Sequence, residues 1–137
     1  MRSIKRAMSS IGIAIIVSCG EVPAPDCIEV SQQKLSEMQI GMNEGLTLRN
    51  AWAVKSGAHE NAWFVSAEID GPGLEGAGHV GTWFVTPLAG AGMILAVPEV
   101  ATEFSQFGNA STTDAQATMS DAGARDSRRC VERHDDQ

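Results

Sequence analysis

At 137 residues, with 43% hydrophobic and 20% charged side chains, the chain has the length and composition of one globular unit with a modest core. A second domain and disorder throughout are both excluded. Its 10 Lys and Arg against 17 Asp and Glu give a formal net charge of −7, and so acidic a surface repels phosphate backbones, which excludes nucleic acid as a natural partner.

In chain order, the first element reads as an export signal. Arg2, Lys5 and Arg6 form a basic start, and residues 7–17 are an uncharged, mostly apolar run of 11 residues, too short to span a bilayer as a helix. The run closes in Ile16-Val17-Ser18-Cys19, which resembles the lipobox of bacterial lipoproteins: an aliphatic residue, a small or β-branched one, a small one, then cysteine. Ile16 stands where that family prefers leucine. The resemblance implies that residues 1–18 are a lipoprotein signal peptide and that the Cys19 thiol receives a diacylglyceryl group. A peptidase then cuts before Cys19, leaving the chain lipid-anchored on the extracytoplasmic face of a cell membrane. Two acyl chains account for stable anchoring, since each buried methylene contributes about 0.8 kcal/mol and one chain holds only marginally. The 119 residues that follow the cut keep 7 basic and all 17 acidic side chains, a formal charge of −10. Such a field holds the domain off an anionic lipid surface.

Residues 19–30 are the lipidated cysteine and a linker, in which Pro23 and Pro25 favour an extended course. At about 3.1 Å per residue the segment 20–26 reaches some 20 Å, so the domain stays close to its membrane. Cys27 and Cys130 remain as an even pair once Cys19 is acylated, and outside the cytoplasm they are expected to form a disulfide. The alternative is two unpaired thiols, with Cys130 buried on a helix.

Residues 31–133 are expected to form a single α+β domain: an N-terminal helix, a four-stranded antiparallel meander, then two C-terminal helices. Over 31–42, Leu35, Met38 and Met42 recur at spacings of three and four, with Ser31 as a cap and Gly45 as a stop. Leu46, Leu48, Trp52 and Val54 then alternate with Thr47, Arg49, Ala51, Ala53 and Lys55, the period of a half-buried strand, with Asn50 the one polar residue in the apolar row. Residues 62–70, 79–87 and 93–97 supply the remaining strands, joined by short turns. Pro98 opens a short helix over 99–107, in which Val100, Phe104 and Phe107 share a face. Residues 120–133 form the last helix, with Asp121 at its start and Arg128, Arg129 and Arg133 near its end, where they complement the helix dipole. Residues 134–137 are expected to fray.

Several motifs carry letters without the context that chemistry needs. Gly71-Pro72-Gly73-Leu74-Glu75-Gly76 spells a dinucleotide fingerprint, but a strand pattern follows it where the pyrophosphate requires a helix N-terminus. His59, His79 and His134 have no partner at a metal-ligand spacing, so neither a metal nor a cofactor is expected. Asn109-Ala110-Ser111 has the letters of a glycosylation acceptor only. No nucleophile elbow is present.

Glu68 and Asp70 end a strand two residues apart, so they point to one side. They serve either as the polar face of that strand or as paired carboxylates. Trp63-Phe64 and Trp83-Phe84 are strand neighbours, which places large rings on both faces of the sheet. One face packs on helices. The other, with Phe64, Ser66 and Glu68, is either covered by the C-terminal segment, the expected outcome, or left open for a ligand. Phe64, Glu68 and Trp83 are therefore the candidate ligand contacts.

Ala53-Val54-Lys55-Ser56, Trp63-Phe64-Val65-Ser66-Ala67 and Gly81-Thr82-Trp83 also resemble stretches of small actinobacterial lipoproteins of unassigned function. That likeness implies address and family, and no activity. The functional expectation is a non-enzymatic binding or accessory module of the cell envelope, with an envelope protein or glycan as partner. A phage-encoded surface protein that blocks later infection is one version of it. The alternative is a small envelope hydrolase using carboxylates such as Glu68 and Asp70.

Overall fold

The computed structural model describes residues 25–74 and 78–135; Cys19 and the whole signal segment lie outside the described residues. Within them the chain is α+β. In order come β1 (Ile28–Glu29), α1 (Gln32–Ile40), β2 (Thr47–Lys55), β3 (Trp63–Asp70), β4 (Val80–Thr86), β5 (Met93–Val97), α2 (Val100–Phe104), a 3-10 turn (Ala110–Thr112) and α3 (Ala122–Arg133). The sheet is antiparallel throughout, in the order β1-β2-β3-β4-β5.

The expected four-stranded meander is thus corrected to five strands. The extra strand, β1, falls in the stretch read as linker, and two residues are too few to display an alternating pattern. It pairs Ile28 with Ala53 and Glu29 with Trp52. Its position is fixed covalently, because the Cys27–Cys130 disulfide ties the start of β1 to α3 across a sequence separation of 103.

Helix α1 starts where Ser31 Oγ accepts from Lys34 N at 3.2 Å, which satisfies one of the free amides of the first turn. It ends at Gly41, where a Cβ would collide with the Phe107 ring. Two side chains of α1 do the work of backbone. Gln39 Oε1 accepts from Leu48 N at 2.8 Å while its Nε2 donates to Leu46 O, so one amide stands in for a strand along the edge of β2. Lys34, 1% exposed, donates to Gly90 O at 2.8 Å and pairs with Glu37 at 2.9 Å, fastening α1 to the β4–β5 turn.

The apolar row expected in β2 is split. Between Arg49 and Trp52 the pairing with β3 shifts register, because Asn50 takes a left-handed backbone, φ 54°, and adds one residue to the strand. Leu48 faces the α1 side with Ala51 and Ala53. Beyond the bulge Trp52, the partner of Ser66 in β3, looks to the opposite face. A one-residue insertion flips every later side chain, which is why strict alternation fails here.

The sheet separates two apolar clusters. Val65, Ala67, Ile69, Trp83 and Val85 meet Met38, Met42 and Ala101, with Phe104 and Phe107 packed alongside. Across the sheet Phe64, Phe84, Leu95 and Val97 meet Ala110, Ala115, Ala117 and Ala124. The Phe64 and Phe84 rings touch edge to face at 5.5 Å. A buried polar layer joins α3 to this second face: Ser66 Oγ lies 2.7 Å from both Thr82 Oγ1 and Ser127 Oγ, and Ser127 donates to Ala124 O. The face that carries Phe64 is therefore covered by the C-terminal segment.

Candidate functional site

At the end of the sheet where β2 bulges, a cleft of about 370 Å³ opens between the bulge, the residues around the β3–β4 connection and the last turns of α3. Arg49, Glu68, Asp70, His79, Arg128, Glu132 and Asp135 supply its polar lining, and Ile69, Leu74, Val80 and Val131 its apolar part.

Glu68 is its centre. Although it lies on a sheet face, α3 leaves it only 8% exposed. Its Oε1 lies 2.7 Å from Arg49 Nη2, the cross-strand neighbour, and its Oε2 accepts from Asn50 Nδ2 at 2.8 Å. Burial holds this carboxyl above the usual carboxylate range; the nearby Asp135 side chain adds to the effect, while Asn50 and the Arg49 charge oppose it.

Asn50 is the hub that the bulge creates. Its second Nδ2 proton goes to Val131 O at 3.1 Å, and its Oδ1 accepts from Trp52 Nε1 at 2.8 Å. The Trp52 ring stacks on His134 at 3.8 Å with an interplanar angle of 14°. One side chain therefore links β2, β3 and the end of α3, with both of its donor hydrogens used and its oxygen accepting one bond. His134 was expected to fray and instead is held on the sheet, because periodicity says nothing of a ring that stacks beyond a helix end.

Of the candidate ligand contacts, Glu68 alone lines the cleft. Phe64, 1% exposed, and Trp83, 0% exposed, are buried in the two different clusters on opposite faces. Neither ring is available to a ligand, which corrects their assignment as contacts. Trp83 meets its polar need internally, donating to Ser105 Oγ at 3.3 Å. Asp70 joins Glu68 at the cleft, yet it is exposed and caps its own turn by accepting from Gly71 N at 3.0 Å.

The histidines are dispersed. His79 lines the cleft beside Phe104, His134 stacks on Trp52, and His59 abuts Phe84 in a separate shallow depression. Among the described residues no group of three or more His, Cys, Asp or Glu side chains is placed to hold a metal ion. After the glycine-rich turn comes β4, a strand, so Gly71 and Gly73 open no helix toward a phosphate. Asn109 accepts from Ser111 N and Ser111 Oγ, and so caps the 3-10 turn. None of the described helices is long and apolar enough to cross a membrane.

Sequence reasoning missed Lys34, Gln39 and Asp135. The signal for Asn50 was present, a polar residue interrupting an apolar row, but its consequence needed the register. Compared with known protein families, curated proteins and solved structures, the chain matches none.

Proposed function

We propose that the chain is a lipoprotein held to the extracytoplasmic face of a membrane through Cys19, and that it acts there as a non-enzymatic binding or accessory module with the Glu68 cleft as its ligand site. The observation that carries the anchoring is Ile16-Val17-Ser18-Cys19 at the end of a short apolar run behind a basic start. The Cys27–Cys130 disulfide supports the same address, because such bonds persist in oxidising compartments. Binding is favoured over turnover because both Glu68 oxygens are engaged, by Arg49 and by Asn50. The other carboxylates that line the cleft, Asp70, Glu132 and Asp135, are exposed. An envelope glycan or protein loop that offers both hydroxyls and an apolar edge suits the lining.

Intact-mass analysis of the membrane fraction tests the anchor. The wild-type chain is expected at the mass of residues 19–137 plus acyl groups, and Cys19→Ser in the soluble fraction without them. Recovery of Cys19→Ser in membranes at the former mass sinks the reading. One observation favours a second reading, a carboxylate hydrolase: Glu68 holds its proton unusually well and has Asp135 beside it. Turnover of envelope sugars or peptides that disappears in Glu68→Gln with Asp70→Asn, while the fold persists, would establish it in place of binding.

A further inference from the structure

The net charge hides a strong asymmetry. Of the 7 basic residues that follow Cys19 in the sequence, Arg125, Arg128, Arg129 and Arg133 lie in the 12 residues of α3. All are exposed, whereas Gly123, Ala124, Ser127, Cys130 and Val131 face the sheet. At 3.6 residues per turn the arginines fall on one solvent face. Only Asp126 and Glu132 offset them within the helix, by pairs with Arg129 at 3.1 Å and Arg128 at 3.7 Å. Arg125 donates to Ser120 O, and neither it nor Arg133 has a carboxylate partner among the described residues. The helix is thus net positive on a domain whose remainder is strongly negative.

The same helix is the one joined to the tether. Cys130 is bonded to Cys27, eight positions after Cys19 in the sequence. By helical spacing Cys130 neighbours Asp126 and Arg133, so the tether enters at the rim of the arginine face. At about 3.1 Å per residue the intervening chain spans roughly 25 Å, comparable with the roughly 18 Å length of α3. The disulfide therefore keeps α3 within that reach of the anchor.

We propose that the exposed face of α3, through Arg125, Arg128, Arg129 and Arg133, docks on the anionic headgroup layer of the membrane that holds Cys19. The proposal rests on the anchored reading above and adds an orientation to it. Guanidinium groups pair well with phosphates, and attraction to an anionic leaflet acts within a Debye length of about 8 Å at physiological salt. The acidic remainder is then turned away from the lipid. The cleft, which shares Arg128 and Glu132 with α3, opens at headgroup level.

The test uses the mature chain, residues 19–137 with Cys19→Ser, since every described element and both disulfide cysteines lie within it. Cosedimentation with vesicles of phosphatidylcholine, with and without about a third phosphatidylglycerol, is measured at low and high NaCl. The expected result is a preference of at least about tenfold for the anionic vesicles at low salt, lost at about 0.5 M NaCl. Arg125→Gln, Arg129→Gln and Arg133→Gln together should abolish it with circular dichroism unchanged. The corresponding lysine triple should keep most of it, and Lys55→Gln, on the opposite sheet face, should leave it intact. No preference for anionic vesicles, or a preference that survives the glutamine triple, overturns the proposal. Because this chain carries no lipid, the outcome is independent of whether Cys19 is acylated, which the intact mass decides.

Discussion

Asn50 donates to Glu68 at 2.8 Å from a backbone at φ 54°, at the point where β2 carries one residue more than β3. Strain and bonding are coupled in one residue, and substitution separates them. Asn50→Gly keeps access to the left-handed region and loses the bonds to Glu68, Val131 and Trp52, for a cost of about 1–2 kcal/mol at this partly open site. Asn50→Ala loses the same bonds and adds a Cβ penalty of about 1 kcal/mol. Urea unfolding should therefore rank wild type above glycine and glycine above alanine; equal stabilities for the two variants would remove the strain from the account.

Glu68 gives stability an unusual pH dependence. Its carboxyl is held above the ordinary range by burial, with Asp135 adding to this against Asn50 and Arg49. A raised carboxylate value means that the folded chain binds the proton more tightly than the unfolded one. The group's contribution is then fully present below the unfolded value and is lost as pH rises through the folded one. Asp70, His79, Arg128, Glu132 and His134 also lie around this end of the sheet, so the effect is read as a difference from Glu68→Gln. The melting temperature of that variant should gain on wild type between pH 4 and pH 7. A gap that is flat or that narrows over this range contradicts the assignment.

What the sequence disclosed and what it withheld divide along physical lines. Period-two runs at residues 63–70 and 80–86 and the capped helix after Ser31 were legible, because burial of one face repeats the same choice many times. The pairing of Cys27 with Cys130 was expected from the even count that remains once Cys19 is set aside and from the compartment that an export signal implies. The bulge, β1 and the Gln39 edge were not, since each depends on one or two residues meeting a distant partner. Likewise Phe64 and Trp83 were candidate contacts only for a face left open, and α3 and α2 cover the two sides of the sheet. The candidate site was half visible: Glu68 by its strand position, Asp135 not at all, because it lies beyond the last periodic residue.

The disulfide should dominate global stability. Cys27 and Cys130 close a loop of sequence separation 103, for which the chain-entropy relation gives roughly 4–5 kcal/mol. Cys27→Ser with Cys130→Ser is expected to lose most of that in guanidinium unfolding, and reduction of the wild type should reproduce the loss. Cys130 is buried while Cys27 is half-buried, so a reducing agent should enter at the Cys27 sulfur. A double variant within about 1 kcal/mol of wild type would place the stability of this end in the Asn50 network instead.

Gly123 sets how closely α3 approaches the sheet. Gly123 is the second residue of α3, and on helix propensity alone Gly123→Ala should stabilise, by less than the roughly 1 kcal/mol that a helix interior would give. Yet a Cβ at this position would lie 2.8 Å from Phe64 Cδ2, closer than carbon atoms can sit. Phe64 cannot yield, being 1% exposed and wedged against the Phe84 ring. The helix must lift or the ring must leave its rotamer, and overpacking of this kind costs about 1–3 kcal/mol. Crowding therefore wins, and Gly123→Ala should unfold at lower urea than wild type. If crowding is the cause, trimming Phe64 to leucine in the same chain should reverse the sign, making alanine at 123 stabilising relative to glycine in that background. Additive effects of the two substitutions would instead place the glycine requirement in the backbone of the first turn of α3 rather than in its contact with the sheet.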